Sequence, residues 1–239
     1  MDNLSLDTLW KAGAHFGHLT RKWNPKMKKY ILMQKNGVHI IDLDQTLKCL
    51  DEAMKFIREV VRKNGEVLFV GTKKQAKDIV EKEAERCGMF YVVERWLGGT
   101  LTNFSTIKRS IRHLLQLEKD KSSGYSENLT KKEILSLERE RVKLAELHRG
   151  IKDMKRLPDA LIVVDTLKES IAIHEARRLE IPVIALLDTN ADPSEVDYPI
   201  PANDDSLQTI QLIMSELANA VLEAKSTRIV EMPAPESKD

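Results

Sequence analysis

The residues best suited to chemistry with a polyanion lie near the start of the chain. Between Thr8 and Ile41 seven cations (Lys11, Arg21, Lys22, Lys26, Lys28, Lys29 and Lys35) occur with no acidic residue, a local charge of +7. Trp10, Phe16, Trp23 and Tyr30 are interleaved with them, and Gly13, Gly17 and Pro25 leave no room for one long helix. Lysine and arginine neutralise phosphates, while aromatic rings either stack on exposed bases or pin the segment to its own domain. His15 and His18 fall here at HxxH spacing without a nearby cysteine or carboxylate. Contact with an RNA backbone, or packing among the aromatics, suits them better than a local metal site.

Two further stretches carry candidate phosphate contacts. Gly71-Thr72-Lys73-Lys74 follows an apolar run and opens a helix, yet lacks the GxxxxGK[ST] and GxGxxG patterns of nucleotide cradles. Lys73 and Lys74 oppose the dipole of that helix, a conflict that nearby phosphate would relieve. Arg95-Trp96-Leu97-Gly98-Gly99-Thr100-Leu101-Thr102-Asn103-Phe104 has a glycine pair that permits close backbone approach, and Lys108, Arg109 and Arg112 continue it. Trp96 either wedges this loop against the domain or stacks on a base.

The opposite end of the chain is acidic. From Asp188 to Asp239 eleven carboxylates face only Lys225, Arg228 and Lys238, a balance of −8, so the net charge of +1 conceals a polarised molecule. Asp188 ends an apolar run, where open sheets gather functional residues, and Asp192, Asp197, Asp204 and Asp205 follow on loops. Crowded carboxylates repel unless a cation or a basic partner neutralises them. Asp188, Asp204 and Asp205 are therefore candidates for a protein partner or a divalent cation, Mg or Zn; no cofactor is otherwise required. No Ser-His-Asp arrangement follows from spacing, and His113, His148 and His174 read as surface residues in charged helices. Cys49 and Cys87 form no CxxC pair and read as buried thiols in a reducing compartment. With no signal-peptide core near Met1 and no run of eighteen apolar residues, the expected location is the cytoplasm.

The elements that position these residues alternate in type. Leu43, Leu47, Leu50, Met54, Ile57 and Val61 predict a helix ended by Gly65. The runs EVLFVGT, FYVV, DALIVVD and IPVIALLD predict buried strands, and a last helix is expected from about Ser206 to Ala224. Asn36-Gly37 predicts a hairpin turn between YILM and GVHIIDL. Thr72 with Gln75, Thr130 with Glu133 and Thr166 with Glu169 each match a capping box. Strand-helix alternation implies parallel pairing with right-handed crossovers, hence a three-layer α/β sheet of about five strands. Residues 104–150 interrupt it with two amphipathic arms around KDKSSGYSEN, read as a protruding antiparallel hairpin about 27 Å long. The expected division is a basic aromatic segment 1–40, α/β parts 41–103 and 151–228 flanking the hairpin 104–150, and a flexible tail 229–239.

AGAHFGHLTRKWNPKMKKYI, the IDL at 41–43, FVGTKKQA at 69–76, RWLGGTLTNF at 95–104, PDALIVVD at 158–165 and IPVIALLDTNADP at 181–193 resemble, in order, the signatures of ribosomal protein number two of the bacterial small subunit. The resemblance implies a flavodoxin-like α/β domain with a protruding coiled coil and no catalytic role. It further implies a seat near the head-body junction, contact with small-subunit ribosomal RNA, and attachment of the large, flexible first protein of that subunit, which captures messenger RNA. The strip from Arg21 to Lys29, the Gly71 to Lys74 turn and the Arg95 to Phe104 loop are then expected near RNA. The loops around Asp188 and Asp204 are expected on the protein-partner side. An enzyme binding a nucleotide at the C-terminal strand edges is the alternative class.

Overall fold

A computed structural model describes residues 5–123 and 130–231. Helix α1 (Leu6–Lys11) opens with a capping box between Ser5 and Thr8. Strands β1 (Phe16–Leu19), β2 (Ile31–Lys35) and β3 (Val38–Ile41) form a small antiparallel sheet in the order β1-β3-β2. Asn36 and Gly37 turn β2 into β3 with φ of 52° and 76°, the left-handed pair that a tight hairpin demands. The leading segment is thus far more ordered than its glycines and proline suggest.

Helix α2 (Leu43–Arg62) starts behind Asp42, whose carboxylate accepts from the Asp44 amide at 3.0 Å. Then come β4 (Val67–Val70), α3 (Lys77–Cys87) and β5 (Phe90–Val92). The hairpin helices α4 (Phe104–Ser122) and α5 (Lys131–His148) follow. The chain continues with β6 (Ala160–Val164), α6 (Ser170–Arg178), β7 (Val183–Leu187), β8 (Tyr198–Pro201) and α7 (Leu207–Glu231). The last helix runs past the expected end at Ala224. The rest of the expected tail, and most of the turn between the arms, lie outside the described residues.

The main sheet is parallel throughout, in the order β5-β4-β6-β7-β8, which is the flavodoxin-like strand order. Because strand side chains alternate between faces, Phe69, Ile162, Val164, Ile184 and Leu186 meet α2, α3 and α7 on one side. Leu68, Val70, Leu161, Val163 and Ala185 meet α6 and the root of α4 on the other. The result is the expected three-layer α/β fold. Cys87 is buried as expected, whereas Cys49 is only half-buried, because it lies at the rim of α2 beside Lys29 and Tyr30.

In α4, Ile107, Ile111, Leu114 and Leu117 are buried, whereas His148 is the buried residue of α5. The second arm therefore leans on the first and stands away from the sheet, giving the protruding antiparallel hairpin. Ion pairs of Lys121 with Glu138 (2.7 Å) and His113 with Glu140 (3.1 Å) link the arms, and Ser110 bonds His148 at 2.9 Å. His148 is consequently not a surface residue: it is fully buried at the hairpin root, next to Gly150, whose missing side chain lets the chain press against Tyr91.

Candidate nucleic-acid interface

The C-terminal ends of the parallel strands gather residues that are far apart in sequence. Lys73 Nζ lies 2.6 Å from Asp204 Oδ1, 2.6 Å from Asp205 Oδ1 and 3.4 Å from Asp165 Oδ2. His18 Nδ1 lies 2.8 Å from Asp188 Oδ2, and its Nε2 lies 3.9 Å from Asp205. The candidate RNA-facing bases Lys73 and His18 and the candidate partner carboxylates Asp188, Asp204 and Asp205 therefore form one cluster. The neutralising groups among the acidic loops are protein bases. The hydrogen bond that His18 donates to Asp188 holds its imidazole above its ordinary pKa, despite partial burial. Burial, followed by repulsion from Asp165, pushes the Asp204 carboxyl up to about 7, against the pull of Lys73.

Beside this cluster, two expected capping boxes are replaced by one tertiary contact. Thr72 donates through its amide (2.8 Å) and its hydroxyl (2.5 Å) to Glu169 Oε1. Helix α3 begins only at Lys77 with no side-chain cap, and Glu169 likewise gives α6 no cap. The local motifs fail because Thr72 and Glu169, brought together across adjacent strand ends, satisfy each other better than their own helices do. This contact also bears on the enzyme alternative. The amide and hydroxyl that a phosphate would use at the β4-α3 turn are occupied by a buried carboxylate of the chain itself.

The basic leading segment is stitched over these strand ends. The amides of His18 and Asn24 donate to Thr189 Oγ1 (2.8 Å) and its carbonyl (2.7 Å). Ser206 and Thr209 hydroxyls reach back to the Ala12 carbonyl. Gly17 allows this approach, since a β-carbon there would lie 2.6 Å from Thr189 Cγ2. His15 is buried and stacked on Trp10 at 3.8 Å, with the Phe16 ring tilted beside it at 4.0 Å. Trp23 leans on buried His39 at 5.0 Å. These rings hold the segment to its domain.

The cations of the strip divide into two groups. Lys26 is engaged, at 2.6 Å from Asp192, and that contact lowers the Asp192 carboxyl to about 2. Lys29 covers the Tyr30 ring at 4.6 Å. Arg21, Lys22 and Lys28 are exposed, and among the described residues no carboxylate lies within ion-pair distance of them. The same holds for Lys11 and Lys74 on the rim of a groove of about 810 Å³ beside Leu207, and for Arg95 and Arg109.

The Arg95–Phe104 loop has an organiser that the sequence reading missed. Trp96 is buried and donates from Nε1 to Glu175 Oε1 at 3.1 Å, so it wedges the loop instead of offering a stacking face. The one available signal was an acidic residue among Ala172, Ile173 and Ala176 on the inward face of α6. Asn103 is exposed, its side-chain oxygen accepting from the Thr106 hydroxyl at 2.9 Å. Lys108 bonds the Lys155 carbonyl and covers Phe104 at 4.8 Å, while Arg112 is exposed on the next turn. Lys108, Arg112, Lys152 and Lys155 line a groove of about 530 Å³ floored by Ile111 and Met154.

Among the described residues no helix is long and apolar enough to cross a membrane, and no three His, Cys, Asp or Glu side chains are arranged to hold a metal ion. Comparison with known families matches residues 9–224 to the model of the family described as Ribosomal protein S2.

Proposed function

The chain belongs to the ribosomal protein S2 family, with a structural, RNA-binding role in the small ribosomal subunit, and we propose that it grips ribosomal RNA through the unpaired cations of its leading strip. The observation that carries this reading is the exposure of Arg21, Lys22 and Lys28 on a segment clamped to the C-terminal strand ends by Thr189. Cations on a firm mount lose little entropy on meeting phosphate, and their attraction is sequence-independent and salt-dependent. Arg95, Asn103 and Arg109 extend the RNA-facing surface at the hairpin root. His18, Lys26 and Lys73 serve chiefly to hold the acidic loops. On this reading the protein sits near the head-body junction of cytoplasmic ribosomes, among neighbouring small-subunit proteins and not as a homo-oligomer. The loops around Asp188, Asp204 and Asp205, of which Asp205 is the exposed member, are the side offered to the large, flexible first protein of the subunit.

The test compares RNA affinity across a salt series. Replacing Arg21, Lys22 and Lys28 together by Gln is expected to weaken binding to small-subunit ribosomal RNA and to reduce the log K against log salt slope by roughly 2 to 3. Lys26→Gln alone is expected to change the slope less than Lys28→Gln, because Lys26 is already paired with Asp192. An unchanged slope in the triple variant rejects the proposal.

A further inference from the structure

Glu175 is a carboxylate where the packing calls for an apolar side chain. It lies on the inward face of α6 and is 8% exposed, beside Ala172, Ile173 and Ala176, which are fully buried. No cation among the described residues pairs with it. Five donors from one loop converge on it instead. Trp96 Nε1 (3.1 Å) and the Gly99 amide (2.7 Å) donate to Oε1. The amides of Leu101 and Thr102 (both 3.0 Å) and the Thr102 hydroxyl (3.1 Å) donate to Oε2. Burial pushes this carboxyl up, but the bonds from Thr102, Gly99, Trp96 and Leu101 outweigh it and hold the group below its ordinary range.

The loop is folded around this anion. Gly99 has φ of +90°, a conformation that L side chains rarely adopt, and it turns its amide inward to reach Glu175. With the amides of residues 99, 101 and 102 directed to the interior, Arg95, Gly98 and Asn103 are left outside. Helix α4 starts at the end of the same loop, so the direction of the hairpin and the place of Arg109 follow from it. A buried charge is a poor source of net stability, since apolar residues of similar volume do as well or better. What a five-donor carboxylate supplies is a single arrangement of the chain around it.

We infer that Glu175 is the positioning residue of the second RNA-facing surface, fixing Arg95 and Arg109 at one spacing relative to the sheet. This rests on the RNA-binding reading above. It also implies that the loop meets phosphate through side chains, because the carboxylate already engages its inward amides.

The test uses the full chain, small-subunit ribosomal RNA and a double-variant cycle. Glu175→Gln replaces one acceptor oxygen by a donor that faces donors. It is expected to increase hydrogen exchange at Gly99, Leu101 and Thr102. It is also expected to lower RNA affinity and to reduce the salt slope by roughly 1.5, as the loss of two phosphate contacts would. Arg95→Gln with Arg109→Gln should give the same loss, and adding Glu175→Gln to that pair should cause no further loss. If the losses add, or if the loop loosens while affinity and slope stay at the parent values, the inference is wrong and the RNA reading stands. If neither these cations nor Arg21, Lys22 and Lys28 affect binding, the RNA reading itself fails. Should Glu175→Gln not fold, Thr102→Val removes the hydroxyl donor alone. A smaller loss of the same non-additive kind then supports the inference, and an additive or absent one overturns it.

Discussion

Replacing Asp204 by Asn isolates the electrostatic strain at the strand ends. Asp204 is 2% exposed and shares Lys73 with Asp165 and Asp205. Four carboxylates there, counting Asp188, face one lysine and one histidine, so negative charge is in surplus. Surplus negative charge favours proton binding at Lys73 and Asp204. The Lys73 ammonium, although opposed by burial, is held above its ordinary range by Asp204, Asp205 and Asp165. The Asp204 carboxyl moves the same way, from 3.8 to about 7. Between these values the folded protein keeps a proton that the unfolded chain has released. The stabilisation from Asp204 is therefore complete below about pH 4 and is lost as the pH rises through about 7. A difference of that size corresponds to about 4 kcal/mol. The pull of Lys73 is already contained in that value, and Asn, which keeps an oxygen for Lys73, stands in for the protonated carboxyl. The variant is thus expected to be more stable than the parent by up to about 4 kcal/mol near pH 8 and to lie within about 1 kcal/mol of it near pH 4.5. Urea unfolding across that range measures both. His18, also raised, contributes a loss of the same sign at higher pH that should persist in the variant. A variant less stable than the parent near pH 8, with a difference that does not change with pH, would falsify the argument.

Three other outcomes follow from the same packing. Lys73→Met leaves Asp204 buried without its cation and is expected to cost about 3 to 5 kcal/mol in urea unfolding. Gly150→Ala drives a β-carbon into the Tyr91 carbonyl oxygen, so a loss of about 1 to 3 kcal/mol is expected, read as a lower melting temperature. Burial holds His148 below its ordinary pKa, so its contribution is present above about pH 6.5 and is lost as the pH falls through the lowered value. Protection of α5 amides, relative to their intrinsic exchange rates, should fall on acidification in the parent and stay flatter in His148→Gln.

The alternation of strands and helices was legible because β4, β5, β6 and β7 are apolar runs and α2 shows a buried stripe at helical spacing. Strand β8 was not legible, because Tyr198-Pro199-Ile200-Pro201 carries two prolines. It is tolerated as an edge strand that pairs only with β7. Capping boxes were legible where nothing competed. Thr130 and Glu133 begin an exposed arm and cap it, whereas Thr72 and Glu169 meet each other across the ends of adjacent strands. His148 was misread because its neighbours in sequence are charged, although the tight turn at Gly150 draws it inside. Pairing of charges was beyond reach of the sequence: Lys73 and Asp204 are 131 positions apart, and only the fold makes them neighbours.

The same point decides how much of the basic strip is available to a partner. A charge of +7 between Thr8 and Ile41 suggests seven equivalent contacts. In the folded chain Lys26 is held by Asp192 and Lys29 lies over Tyr30, while Lys73, outside the strip, is consumed by three carboxylates. A cation already paired within the protein releases little when it meets phosphate, because its gain is offset by the pair it leaves. The acidic loops therefore act on RNA binding without touching RNA: they select which cations remain outward. Arg21, Lys22 and Lys28 are free because no carboxylate among the described residues comes within reach, and Lys26 differs from them by one ion pair, not by its place in the sequence.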